Sequence, residues 1–194
     1  MHCMLDFETL GSGTDTIVVS LGAAYFNKTG IKAEKLFLFD IHSQQMAGRS
    51  FTASTLEWWM RQKEGARDVF DKEKTPGDRL TLKDFFVQFE KVSAEALALE
   101  EEAWDQFKPW GNGANFDISI LEDMYRRHHE NRDQGIPWKF WNVFCFRTFN
   151  ALTDCKRYLA RPHGTHHSAL DDARYQAECV VNFWKRAKIK KGKT

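Results

Sequence analysis

The chain has 194 residues, of which 42% are hydrophobic and 14% aromatic, including 16 phenylalanines and 7 tryptophans. This length corresponds to one domain, and this share of large apolar side chains excludes a wholly disordered protein. The chain has 28 Lys and Arg residues and 27 Asp and Glu residues, a net charge of +1. This balance excludes a uniformly basic DNA-coating protein but not a local basic patch. The sequence contains no run of about 20 apolar residues, so it predicts no membrane span.

The cysteines and the first residues predict a cytoplasmic protein. A chain of this length does not need disulfide bonds, and no two cysteines have CxxC spacing, so we interpret all of them as reduced thiols. The acidic residues Asp6 and Glu8 leave no room for the apolar segment of a signal peptide. The four cysteines are Cys3, Cys145, Cys155 and Cys179.

The first forty residues predict an antiparallel meander of three strands. Residues 2–8, 16–26 and 31–41 are rich in β-branched and aromatic side chains, and the turn residues Asn27 to Gly30 separate the second run from the third. The apolar spacing then becomes helical. Predicted helices cover 52–62, 81–103, 117–129, 147–158 and 170–188, and two further strands are predicted at 107–114 and 140–146. This order predicts an α/β fold, a mixed five-stranded sheet flanked by helices.

In the first predicted helix, Ser54 or Thr55 is the expected N-cap. Trp58 and Trp59 are adjacent, so their side chains diverge by about 100° around the helix axis. We expect Trp59 to be buried together with Leu56 and Met60, and Trp58 to be partly exposed.

Two acidic residues lie on one face of the first strand. Asp6 and Glu8 are two residues apart, and side chains with this spacing point to the same side of a sheet. In a central strand each carboxylate must be paired, protonated or bound to a metal. The alternative is an edge strand with two solvated acids.

The second acidic motif contains Asp117, which follows the loop Gly111–Phe116, where a predicted strand passes into a helix. Its side chain is expected at the end of the sheet. The alternative is that it caps the following helix, and the two interpretations are compatible. A dinucleotide-binding loop is disfavoured because the full G-x-G-x-x-G pattern is absent.

The last acidic motif is His167 followed five residues later by Asp172. Helical periodicity places Asp172 beside the buried stripe and Asp171 on a polar stripe, so Asp172 is the expected site residue and Asp171 a first-turn acid. The alternatives for the histidines are a flexible loop or a zinc site with Cys179. A site made mainly of carboxylates favours Mg²⁺ or Mn²⁺ instead.

Together, these motifs resemble those of the DEDDh superfamily of 3′–5′ exonucleases, in the same order. Within it the chain is similar to the group of phage DexA-type exonucleases and mycobacterial RNase AS-type exoribonucleases. The segments DFETLGSG, STLEWWMRQ, WGNGANFD and FWNVFCFRT carry this similarity, which spans nearly the whole chain. One departure is Phe146, where relatives have an acidic residue before Arg-Thr.

The resemblance implies an RNase H-like fold in one exonuclease domain, residues 1–188, followed by a basic tail, residues 189–194. It implies two Mg²⁺ or Mn²⁺ ions, with Asp6 bridging both. Glu8 and Asp172 complete the first metal site, Asp117 holds the second, and His167 takes the proton from the attacking water. The implied reaction is hydrolysis of single-stranded DNA or RNA from the 3′ end, releasing nucleoside 5′-monophosphates. Relatives that dimerise suggest a homodimer, and the sequence leaves the oligomeric state open.

Substrate contacts are expected from side chains near these acids. Thr9 and Leu10 directly follow the acid pair and are expected to meet the terminal nucleotide, and Phe116 and Trp58 are candidates for stacking on a base. Arg147 is a candidate for binding a phosphate. The alternatives are a helix–helix contact for Trp58 and a surface salt bridge for Arg147. The competing function is a catalytically inactive RNase H-like module that binds nucleic acid or a partner without cutting.

Overall fold

The structure is a computed structural model that describes residues 1–131, 135–159 and 168–191, with side chains described up to residue 187. Its centre is a mixed sheet with the strand order β4-β3-β2-β1-β5-β6. The strands are β1 (His2–Thr9), β2 (Val18–Asn27), β3 (Gly30–Phe39), β4 (Arg79–Leu80), β5 (Lys108–Gly111) and β6 (Phe144–Cys145). β1 lies inside the sheet, since it pairs antiparallel with β2 and parallel with β5.

The predicted meander is confirmed. β1, β2 and β3 pair antiparallel in sequence order, and the β2–β3 hairpin turns between Asn27 and Gly30. The Asn27 side chain stabilises this turn, because its Oδ1 accepts hydrogen bonds from the backbone N–H groups of Thr29 and Gly30 at 2.8 and 3.3 Å. The third strand ends at Phe39 rather than residue 41, because a short helix starts at Ile41.

The prediction of five strands is wrong, since the sheet has six. The additional strand is β4, which pairs in parallel with Leu38 and Phe39 of β3. A strand of two residues is too short to show an alternating pattern in the sequence, so only its pairing with β3 identifies it.

The predicted strand at 140–146 is also largely wrong. Residues Phe140–Asn142 form a 3-10 turn, only Phe144–Cys145 pair with β5, and Phe146 begins a helix. The apolar run misled the prediction because its side chains do not share one environment: Phe140 is 80% exposed and Phe146 is fully buried.

Seven α-helices are described: α1 (Ile41–Met46), α2 (Ala53–Arg61), α3 (Glu64–Arg67), α4 (Leu82–Ala98), α5 (Asp117–His128), α6 (Phe146–Thr153) and α7 (Ala169–Lys191). The expected cap of α2 is wrong, because the N-cap is Thr52, whose side chain accepts from the backbone of Thr55. Trp59 is buried as predicted, whereas Met60 is 75% exposed. None of the helices in the described ranges combines the length and the apolar character needed to cross a membrane.

The two faces of β1 pack against different layers. Cys3, Leu5 and Phe7 belong to a core cluster with side chains of α4 and α5, whereas Met4 belongs to a second cluster with side chains of α7. Asp6 and Glu8 alternate with the first set and therefore lie on the α7 face. The sheet thus places the first acid pair under the last helix.

Gly22 allows this helix to lie very close to the sheet. Gly22 pairs with Asp6 across the β1–β2 ladder. A Cβ atom at Gly22 would lie 2.1 Å from the carbonyl oxygen of Ala169 and 2.5 Å from the Cα of Leu170. Only a residue without a side chain fits there, so the first turn of α7 is fixed directly above Asp6.

Candidate metal centre and its cavity

Three carboxylates meet where β1 and α7 face each other. Asp6 and Glu8 come from β1 and Asp172 from the first turn of α7, and one oxygen of each lies within 4.8 Å of the others. The exposed neighbour Asp171 points elsewhere and forms an ion pair with Arg174 at 2.8 Å. The structure therefore brings Asp172, and not Asp171, to this group.

Asp117 approaches the same place from the start of α5. It is only 3% exposed, and its Oδ1 and Oδ2 accept from the backbone N–H groups of Phe7 at 3.1 Å and Gly113 at 3.4 Å. Gly111 makes room for it, since a Cβ there would lie 2.8 Å from the Cβ of Asp117. Asp117 is the first residue of α5, so it combines a helix-start position with a place in the site.

Burial and mutual repulsion favour the protonated forms of these acids. The pKa of Asp6 is raised well above its ordinary value, first by burial and then by the charges of Asp117, Glu8 and Asp172. Burial, followed by the charges of Asp172 and Asp117, raises the pKa of Glu8 to about 8. Burial raises the pKa of Asp117 to about 6, although the backbone donors around it act in the opposite direction. Bound cations would relieve this repulsion.

The donor set fits a hard divalent cation. All of the ligand atoms are carboxylate oxygens, which Mg²⁺ and Mn²⁺ prefer, and the set contains no thiolate or imidazole among the described residues. Cys179, considered for a zinc site, is fully buried in the cluster that packs on α7. His163, His166 and His167 lie outside the described residues.

All of the predicted metal acids line one cavity of about 350 Å³. Phe116 and Arg147 line it as well, which places two of the predicted substrate residues beside the acids. The remaining lining side chains include Asn112, Lys156, Tyr175 and Gln176. The cavity thus combines four acids, which suit metal cations, with two cationic side chains, which suit the phosphate groups of a nucleic acid.

Sequence reasoning missed Lys156 and Gln176. Lys156 reaches the cavity because α6 ends at Thr153, its C-cap Asp154 is left-handed with φ of 50°, and a 3-10 turn follows. Aspartate is enriched among non-glycine residues in that conformation, but a single aspartate does not predict it. Gln176 could have been found, since it follows Asp172 by one helical turn on the same face of α7.

Thr9, Leu10 and Trp58 are not among the residues lining this cavity. Thr9 and Leu10 are 8% and 6% exposed, and the Thr9 hydroxyl donates to the carbonyl of Gly11 at 2.7 Å. Trp59 donates from Nε1 to the Thr9 carbonyl at 2.8 Å, which anchors α2 to the end of β1. Trp58 is 39% exposed and packs edge-on against Trp59, with ring centroids 5.0 Å apart.

Phe146, which departs from the motif that the sequence resembles, serves the core. It is fully buried in the cluster packed on α7, and the Nζ of Lys156 lies 5.3 Å from the centre of its ring. This position therefore contributes packing and supports a cavity lysine.

Comparisons with known proteins give the family of the chain. Residues 1–184 match the family described as the 3′–5′ exoribonuclease Rv2179c-like domain. The chain is also similar to an exodeoxyribonuclease of Enterobacteria phage T4, with 30% identity over 171 residues, covering 75% of this chain and 68% of the phage protein.

Two solved structures are similar at low identity. One is a full-length 3′-exonuclease, with a TM-score of 0.48 and 12% identity, covering 96% of this chain and 82% of that chain. The other is cell-death related nuclease 4 (CRN-4), with a TM-score of 0.48 and 13% identity, covering 95% of this chain and 64% of that chain.

Proposed function

Because this chain belongs to the Rv2179c-like family of 3′–5′ exoribonuclease domains and is a 3′–5′ exonuclease, we propose that it is a DEDDh enzyme with an RNase H-like fold and a two-metal site. One observation carries the proposal: Asp6, Glu8 and Asp172 lie within 4.8 Å of one another, and Asp117 lines the same cavity. Cation binding would explain why so many mutually repelling carboxylates lie together.

Each acid has a proposed role in holding two Mg²⁺ or Mn²⁺ ions. Asp6, on the interior strand β1, would be shared by both ions, Glu8 and Asp172 would complete the first site, and Asp117 would hold the second. Bound divalent ions at this site would neutralise the charge of the scissile phosphate and stabilise the attacking and leaving oxygens.

The remaining residues act on water and substrate. His167 is the proposed general base, since a histidine with an ordinary pKa near 6.5 can accept a proton at neutral pH. Arg147 and Lys156, which line the cavity, are the proposed contacts for phosphate groups of the single strand. Phe116 at the cavity and exposed Trp58 on α2 are the proposed stacking surfaces for bases. Thr9 and Leu10, which directly follow the acid pair, are the proposed contacts for the terminal nucleotide, and the Thr9 carbonyl also accepts from Trp59 of α2.

The family is described as an exoribonuclease domain, and the phage relative is named an exodeoxyribonuclease. Both RNA and DNA therefore belong in the test. We expect 5′-labelled single strands of matched RNA and DNA sequence to shorten one nucleotide at a time from the 3′ end in Mg²⁺ or Mn²⁺. Excess chelator and Asp6→Asn should each abolish the reaction, and Asp171→Asn is the matched control. Cleavage of a circular single strand, or full activity of Asp6→Asn, would contradict the proposal.

A further inference from the structure

Gln176 is the polar side chain of α7 that touches the proposed bridging acid. It follows Asp172 by one helical turn and lines the same cavity. Its Nε2 donates to the Oδ1 of Asp6 at 3.0 Å, and the residue is only 5% exposed. This hydrogen bond joins residues 170 positions apart in the chain.

Among the described residues, the other end of the same amide has no comparable contact. The Oε1 of Gln176 is buried, and within residues 1–131, 135–159 and 168–191 no donor reaches it. A buried carbonyl without a partner is destabilising, so an apolar side chain of the same length would suit the packing better. Packing therefore does not account for an amide at this position, whereas the hydrogen bond to Asp6 does.

We propose that Gln176 is a positioning residue that holds the Asp6 carboxylate in the orientation needed to bind cations. The inference rests on the proposed function, because it assigns Gln176 to the metal site. A neutral amide suits this role, because its N–H fixes one carboxylate oxygen and leaves the other lone pairs free. A lysine would compete with the cation for Asp6, and an added acid would increase the repulsion already present. Hydrogen-bonding partners of metal ligands orient the ligand in this way.

The test measures Mg²⁺ affinity of the full chain by titration calorimetry, which does not depend on turnover. Gln176→Met keeps the length of the side chain and removes both hydrogen-bonding atoms. Gln176→Asn keeps the amide but withdraws it by one methylene, so its N–H no longer reaches Asp6. We expect both variants to bind Mg²⁺ about 10- to 100-fold more weakly than the wild type. The melting temperature of metal-free Gln176→Met should equal or exceed that of the wild type. Gln88→Met, a half-buried glutamine on α4, is the matched control.

Activity provides the second measurement. We expect kcat at a fixed subsaturating Mg²⁺ concentration to fall with the affinity, while KM for the oligonucleotide stays within about twofold, and saturating Mg²⁺ to restore part of kcat. Unchanged Mg²⁺ affinity in both Gln176 variants, beside an Asp6→Asn variant that binds none, would overturn the inference and leave the proposed function intact. A lower melting temperature with unchanged affinity would also overturn it. If the wild type itself shows no Asp6-dependent Mg²⁺ binding, the proposed metal site fails, and the inference with it.

Discussion

The stability of the metal-free protein should depend on pH through Glu8. This residue is 9% exposed, and burial together with the charges of Asp172 and Asp117 raises its pKa from 4.5 to about 8. The folded protein therefore keeps a proton that the unfolded chain releases above pH 4.5. By linkage, the stability present below pH 4.5 is lost progressively as the pH rises toward 8.

The size of this loss follows from the same values. The interval from 4.5 to about 8 spans roughly 3.5 pH units, and each unit corresponds to about 1.4 kcal/mol, which sets a ceiling of about 5 kcal/mol. The neighbouring acids account for part of this free energy, since their own pKa values depend on the charge of Glu8. Glutamine at this position cannot ionise. We therefore expect Glu8→Gln in chelator to lie within about 1 kcal/mol of the wild type at pH 5 and to be more stable by about 2–5 kcal/mol at pH 8.

Urea unfolding at pH 5, 6, 7 and 8 in excess chelator measures this difference. Glu57→Gln is a suitable control, because the Glu57 side chain is 63% exposed and pairs only with Arg61 among the described residues. In saturating Mg²⁺ the difference in unfolding free energy between Glu8→Gln and wild type at pH 8 should shrink or change sign. Only the wild type has the full set of proposed ligands and gains the full binding free energy. Parallel pH profiles for wild type and Glu8→Gln in chelator would refute the reasoning.

Three further predictions concern the last helix and the histidine before it. Gly22→Ala should destabilise the protein by at least about 1–3 kcal/mol in urea unfolding, since its Cβ would meet a backbone oxygen of α7 at 2.1 Å; wild-type stability and Mg²⁺ affinity would show that the helix can shift freely. Asp172→Asn should lose nearly all turnover, while Asp171→Asn costs about 0.3–1 kcal/mol of helix-dipole stabilisation; the reverse order of activities would place the wrong acid in the site. His167→Ala should lower kcat by about 10²–10⁴ and remove the acidic limb of the pH–rate profile, and His166→Ala should be nearly unaffected; equal effects of the two would reject His167 as the general base.

The sequence predicted the features that depend on local pattern. The alternation of β1, the hairpin at Asn27 and the helical register of α7 are properties of a few neighbouring residues, and all agree with the structure. The meeting of Asp6 with Asp172 was inferred from a resemblance to known motifs and not from periodicity, because no local pattern encodes a contact between such distant parts of a chain.

The features that the sequence did not predict depend on tertiary neighbours. β4 has two residues and exists because β3 offers it an edge. Lys156 enters the cavity through the left-handed turn at Asp154, and the burial of Phe146 beside the exposure of Phe140 is decided by the packing of α6. The pairing of β1 with β2 shifts register between Glu8 and Thr9, an irregularity that the alternating pattern of the first strand does not indicate.

Asp6 and Gln176 are hydrogen-bonded although they lie 170 residues apart in sequence. This separation also bears on the order in which the site is assembled during synthesis. A ribosome releases Asp6 and Glu8 well before α7, which supplies Asp172 and covers the sheet. A growing chain that lacks α7 therefore lacks Asp172, a proposed metal ligand, and the α7 side chains that pack with Met4 of β1. The chain therefore has its complete group of proposed metal ligands only once α7 has folded onto the sheet.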